Sequence, residues 1–209
     1  MNITFFNRGI GGGDGPVDYC TNEYVPSIIT IVNSDGNLKS KVHRDESGNI
    51  VLKQRIPPPE ILRGDSERTR QLIDSIDNTW KYTSGVAAFA IEDAPTEAQQ
   101  NEFMDKFEEA AFPGLGVDRR DILWTRHTHE GNVELHFVIP RIDIKTGLAY
   151  NPAPPGWEKL YGPLRDHFNW KFGWARPDVV GQPLVPVGLS VGSPQEPQQP
   201  GAVEPVQAE

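Results

Sequence analysis

The sequence predicts an α+β fold of two layers, a central antiparallel sheet with helices packed on one face, followed by a proline-rich tail. Three observations predict it. Residues 122–139, ILWTRHTHEGNVELHFVI, read as two alternating strands about Gly131-Asn132. Thr96-Glu97-Ala98-Gln99 reads as a capping box, and Phe103, Phe107 and Ala111 follow it at four-residue helical steps. Trp157, Leu160, Tyr161, Leu164 and Phe168 form a second helical stripe that ends near Gly173. Strands on both sides of helices, with an antiparallel hairpin in the middle, are the pattern of a two-layer α+β domain.

The elements follow in chain order. Ile3–Phe6 reads as a short strand, and the glycine loop GIGGGDGP after it opens into a short helix. Pro16 suits the first helical position and Gly15 or Asp14 the cap, which puts Tyr19 in the first turn or so. From Ser27 to Gln54 the pattern is β-like, with Ile28–Val32, Leu38–Val42 and Ile50–Lys53 punctuated by Asp35-Gly36 and Ser47-Gly48-Asn49. A small meander is expected there. The run Pro57-Pro58-Pro59 breaks the chain, and Leu72, Ile73 and Ile76 then recur at helical spacing behind a cap at Asp65 or Ser66. Tyr82–Ile91 is apolar and short enough for a buried strand. The capped helix from Thr96 ends at Pro113-Gly114, and the hairpin follows.

Composition bounds the rest. The chain has 209 residues, 37% of them hydrophobic, enough for one domain with a sizeable core and something extra. The extra part runs from Pro177 to Glu209, with seven prolines, four glycines and no aromatic, Lys or Arg. Such a segment cannot offset its ordering entropy by burial, so residues 178–209 are expected to be a disordered tail behind a domain of residues 1–177. The single cysteine, Cys20, excludes an internal disulfide framework and fits a reducing cytoplasm. Neither a membrane-spanning apolar run nor a signal peptide is apparent, so a cytoplasmic protein is expected. The net charge of −9, to which Asp178, Glu196, Glu204 and Glu209 contribute four, argues against gripping duplex DNA by charge alone. Any nucleic-acid site needs a local basic cluster or a bound cation.

The hairpin carries the most chemistry. A two-residue loop beginning at Gly131 suits a type II′ turn and pairs Glu130 with Val133. In that register His127 faces His136 and His129 faces Glu134, all on one face because side chains alternate along a strand. The other face carries Val133, Leu135, Phe137 and Ile139, an apolar set that would bury against helices. The polar face is either simply solvated or holds a metal, since paired imidazoles and a carboxylate can converge on one ion. Tyr19 behind the glycine loop has two readings as well. It is a packing residue, or a nucleophile beside a loop whose backbone lets a phosphate approach. The loop lacks the Lys-Ser/Thr of a P-loop and the βαβ setting of a dinucleotide site. In residues 156–176, GWEKLYGPLRDHFNWKFGWAR, cations and aromatics mix, yet the helix-core spacing favours packing over base stacking by Trp170 or Trp174.

Five segments taken together resemble the relaxases of mobilizable plasmids, the MobA/MobL-like branch of the HUH endonucleases. They are GGGDGPVDY near the N-terminus, PPPEILRGD at 57–65, KYTSGV at 81–86, the hairpin with its extension to Asp143, and NPAPPG at 151–156. The resemblance runs from about Gly9 to Pro177 and implies an HUH-like α+β domain. It further implies that Tyr19 attacks a DNA phosphodiester to give a covalent 5′-phosphotyrosine, and that His127, Glu134 and His136 hold a divalent ion, Mg²⁺ or Mn²⁺. The positions keep the spacing of the family's His-Glu-Asn variant, with His136 where that branch has Asn. His129 is implied as an orienting residue or fourth ligand. Single-stranded DNA at a transfer origin is the implied substrate, with mobilization accessory proteins and a coupling protein as partners. The segment Cys20–Ile56 has no counterpart in the resemblance. A relative that binds DNA without cleaving it, or a replication initiator or transposase of the same superfamily, are the other readings.

Overall fold

Alternation along Glu134–Pro140 sends Leu135, Phe137 and Ile139 to one face and Glu134, His136 and Val138 to the other, and this split organises the molecule. A computed structural model describes residues 1–6, 9–32 and 35–176. In chain order the elements are β1 (Asn2–Phe5), α1 (Asp14–Thr21), β2 (Tyr24–Pro26), β3 (Ile28–Val32), β4 (Leu38–Val42), β5 (Leu52–Gln54) and β6 (Glu60–Arg63), then α2 (Ser66–Asp74), β7 (Tyr82–Ala88), α3 (Glu97–Ala111), β8 (Leu123–His127), β9 (Glu134–Pro140) and α4 (Glu158–Phe172). The main sheet is five-stranded, antiparallel at every pairing, in the order β1-β7-β9-β8-β6.

One face of this sheet forms the principal core with α3 and α4. Phe137 lies at its centre, with ring centroids 4.6 Å from Phe107, 5.2 Å from Trp124 and 5.3 Å from Phe5. Phe103, Phe107 and Ala111 of α3 and Tyr161 and Phe168 of α4 are buried in it, as the helical stripes require. Gly85 in β7 faces Phe137, and a Cβ there would stand 2.4 Å from both the Phe137 ring and the Thr4 carbonyl oxygen. The tight aromatic packing therefore depends on a missing side chain. Local signals set the helix starts. Thr96 accepts from the Gln99 amide while Gln99 returns a bond to the Thr96 amide, and Asp65 accepts from the Arg68 amide at 2.8 Å.

The expected two-layer core is present, and the sheet's other face is also covered in part. Val17 and Cys20 of α1 and Ile73 of α2 pack against Tyr82, Leu123 and Val138, forming a second buried cluster. Short helices thus lie on the face expected to stand free of them. The expected meander is instead an arm outside the main sheet, in which β3 pairs only with β4 and β2 only with β5. Strand β5 starts at Leu52 rather than Ile50. Strand β6 was not visible in the sequence, because it is four residues long and stands directly behind three prolines at the sheet edge. Helix α1 begins at Asp14 with Gly13 as its cap, two residues earlier than Pro16 suggests.

The hairpin register requires correction. His127 faces Glu134 and Thr125 faces His136, while His129 lies in the connection and faces neither. The chain turns over Thr128–Gly131, with the Gly131 amide donating to the Thr128 carbonyl at 3.0 Å and Gly131 at a φ of 89°. This is a longer loop than the two-residue turn. The Phe89 amide takes the Val133 carbonyl at 3.0 Å and the Asn132 side chain donates to the Phe89 carbonyl at 3.2 Å, which ties the approach to β9 to the end of β7. The partner shift is two residues, so each side chain stays on its expected face. The expected tail, residues 178–209, lies outside the described residues. Among the described residues no helix is long and apolar enough to cross a membrane.

Candidate metal centre and nucleophile

Two parts of the fold meet at the site, the turn end of the β8–β9 hairpin and the last turn of α1. Strands β8 and β9 put His127, Glu134 and His136 on one face, where the alternation requires them. Their ligand atoms lie within 4.8 Å of one another. The His127 and His136 ring centroids are 4.2 Å apart, and His136 Nε2 is 3.0 Å from Glu134 Oε2. That spacing is what two donors about 2.1 Å from one ion have when they subtend roughly a right angle.

Helix α1 reaches this place through contacts made at its start and along its buried side. The Gly13 amide donates to Asp74 Oδ1 at 2.8 Å, and a Cβ on Gly13 would stand 2.7 Å from the Arg70 carbonyl. Arg70 pairs with Asp14 and, at 3.0 Å, with Asp18. With Val17 and Cys20 turned into the second cluster, Tyr19 faces the hairpin. Its ring centroid is 5.5 Å from His136, edge-on, and 6.1 Å from His127. Tyr19 remains 37% exposed.

The protonation pattern suits ligands. His127 Nε2 donates to the Cys20 carbonyl at 2.8 Å, which assigns the proton to that nitrogen and leaves the Nδ1 lone pair without a partner. Burial, reinforced by the neighbouring His136, pushes the His127 pKa down to about 3, so the ring is neutral at physiological pH. Burial pushes the Glu134 carboxyl up, but the hydrogen bond and charge of His136 outweigh it, with help from Asn132, and hold it below the usual carboxylate range. The Nδ1 atoms of His129 and His136 are also buried without a partner. Two neutral-capable imidazoles, one ionised carboxylate and unpartnered buried nitrogens fit a divalent metal. His129 stands at the rim in the turn. Its ring is 5.8 Å from that of His127, its Nε2 is 3.6 Å from Glu130 Oε1, and it is not among the three converging donors.

Comparison with known proteins identifies the family of the chain. Residues 42–173 match the model of the relaxase family described as the MobA/VirD2-like nuclease domain. The chain is 37% identical over 152 residues to cryptic plasmid protein C of Neisseria gonorrhoeae, covering 73% of this chain and 60% of that protein. It is 34% identical over 152 residues to DNA relaxase MbeA of Escherichia coli, covering 73% of this chain and 24% of that protein. The chain belongs to the MobA/VirD2-like relaxase family. It spans less than two thirds of the length of each of these two curated relatives. Within this relaxase domain the converging donors lie inside the matched residues, and Tyr19 lies before them.

Sequence reasoning missed Arg55. The fold buries it to 2% exposure beneath Tyr19, with the guanidinium carbon 4.8 Å from the Tyr19 ring centroid. Nothing local marks it, because it sits between an exposed β segment and three prolines. Its position under a helix 36 residues earlier follows only from the arm's return to its own root. Trp174, weighed as a stacking residue, is a core residue packed on Phe89, Phe168 and Phe172, whereas Trp170 is 73% exposed.

Proposed function

We propose that this relaxase domain nicks and rejoins one strand of plasmid DNA at a transfer origin, in the cytoplasm, with Tyr19 as nucleophile. The observation that carries the reading is the exposed Tyr19 ring set against His127 and His136, two of the three converging donors. The Tyr19 phenol oxygen attacks phosphorus and its proton leaves to water. The bond from phosphorus to the 3′ oxygen breaks, that oxygen takes up a proton, and a 5′-phosphotyrosine remains on the protein. Attack by a 3′ hydroxyl reverses each of these changes and restores the strand.

His127, Glu134 and His136 would hold a divalent cation, Mg²⁺ or Mn²⁺, which when bound neutralises charge on the non-bridging oxygens of the phosphate. Two imidazoles among three donors favour Mn²⁺ of the pair. His129, at the rim, orients the neighbouring ring of His127. In an acidic chain these residues also answer the charge problem, since attraction of a phosphodiester is concentrated at one place rather than spread over a basic surface. Single-stranded DNA is the substrate class, and accessory and coupling proteins would bring it.

The test uses labelled single-stranded oligonucleotides tiling the replicon that encodes the chain, incubated with Mn²⁺ and resolved on denaturing gels. A covalent adduct that maps to Tyr19, is absent in Tyr19→Phe and disappears with chelator is the expected result. Binding without any adduct would overturn the nicking reading in favour of a domain that only holds DNA.

A further inference from the structure

Arg55 is a buried cation in the site, and none of the chemistry above uses it. The residue follows β5 directly, and its amide donates to the Glu23 carbonyl at 2.8 Å, closing the root of the arm. Its Nη1 donates to the Tyr19 carbonyl at 2.6 Å and to the Asn22 carbonyl at 3.2 Å. These carbonyls belong to the last turn and cap of α1, where backbone acceptors lack helical partners and the helix dipole is negative. Helix α1 has no basic residue of its own in that turn, so Arg55 supplies the missing cation from the far end of the arm.

Capping alone does not account for the arrangement. The guanidinium also lies over the Tyr19 ring and its Nε is buried without a partner, and among the described residues it makes no direct salt bridge, the Glu134 carboxylate acting on it only through space. Burial works against the charged guanidinium, and further negative charge arriving at the site offsets that penalty. A capping role is met by a polar or exposed side chain at far lower cost. Negative charge does arrive here when Tyr19 and a phosphodiester react. Among the described Arg and Lys residues, Arg55 is the one whose guanidinium lies over this ring.

We infer that Arg55 is a positioning residue for Tyr19, clamping the end of α1 so that the phenol faces the hairpin donors and stabilising negative charge on the attacking oxygen. The inference rests on the nicking reading above for its chemistry and on the observed contacts for its geometry. It also gives the arm a role, since the segment between Tyr19 and Arg55 returns the cation to the nucleophile it departs from.

The experiment uses the full chain with the oligonucleotide that gives an adduct, under single turnover in Mn²⁺, comparing wild type with Arg55→Met and Arg55→Lys. For Arg55→Met the adduct rate is expected to fall about a hundredfold, the size usual for loss of one preorganised electrostatic donor, with oligonucleotide Kd within about threefold of wild type. Arg55→Lys restores charge but not the two-carbonyl clamp, and is expected about tenfold below wild type. A folded Arg55→Met that forms adduct at the wild-type rate overturns the inference. So does a parallel loss of rate and binding, which marks a merely structural role. If Arg55→Met does not fold, the Arg55→Lys rate and Kd decide by the same split. If the wild type gives no adduct, the nicking reading fails separately, and 3-fluorotyrosine at position 19 then reports on position alone. A fluorine resonance displaced by Arg55→Lys supports the clamp, and an unchanged one overturns it.

Discussion

Strands β9 and β3 have the same credentials in the sequence and opposite fates in the structure. Six of the seven residues in β9 are buried, while all five in β3, Ile28-Ile29-Thr30-Ile31-Val32, are exposed. By residue type β3 is the better strand, since every position is β-branched. The difference is what lies above each. Strand β9 is flanked by β7 and β8 and roofed by α3 and α4 on one face and by α1 and α2 on the other. Strand β3 has one neighbour, β4, and neither of its faces belongs to a buried cluster. Propensity makes a strand, and only the supply of covering elements makes it core.

That contrast is most open to breakage at its extreme. Phe137→Ala removes the ring at the centre of the aromatic core, and an unfolding midpoint in urea should report a loss of about 3–5 kcal/mol. A loss under about 1 kcal/mol would mean that β9 is not the packed strand described. The site at the end of β9 supplies the next effect. Mn²⁺ at a hundred times its Kd should stabilise the wild type by about 2.7 kcal/mol, seen as a rise in Tm, and should leave Glu134→Ala unmoved. An equal rise in both proteins would place the ion elsewhere. The arm supplies the smallest effect. Val32→Ala should change stability by no more than about 0.5 kcal/mol, because the residue is already 66% exposed. A change of 2 kcal/mol in the same urea titration would show that β3 is covered after all.

The same contrast explains how legible the site was. His127, Glu134 and His136 were readable because a strand's period of two keeps them on one face in any register that differs from the expected one by an even number of residues. The register itself was not readable, and Asn132 and Val133 bond instead to Phe89, from another strand's extension. His129 illustrates the cost of that difference. It moves from a paired position facing Glu134 to a turn beside His127. Tyr19 could be named in sequence by its glycine loop and by resemblance, but its approach to the two histidines depends on α1 being pinned by Asp74 and Arg70.

By itself, then, the sequence determined the α+β class, the capped helices α2 and α3, the aromatic stripe of α4 and the common face of the three donors. These are consequences of periodicity and local hydrogen bonding, which act within a few residues and do not depend on the rest of the chain. Only the tertiary structure decided the hairpin register, the covering of the second sheet face, the exposure of the arm and the placing of Arg55 beneath Tyr19. Each of these is a contact between segments far apart in the chain, chosen by which surfaces remain to be buried once the local elements have formed.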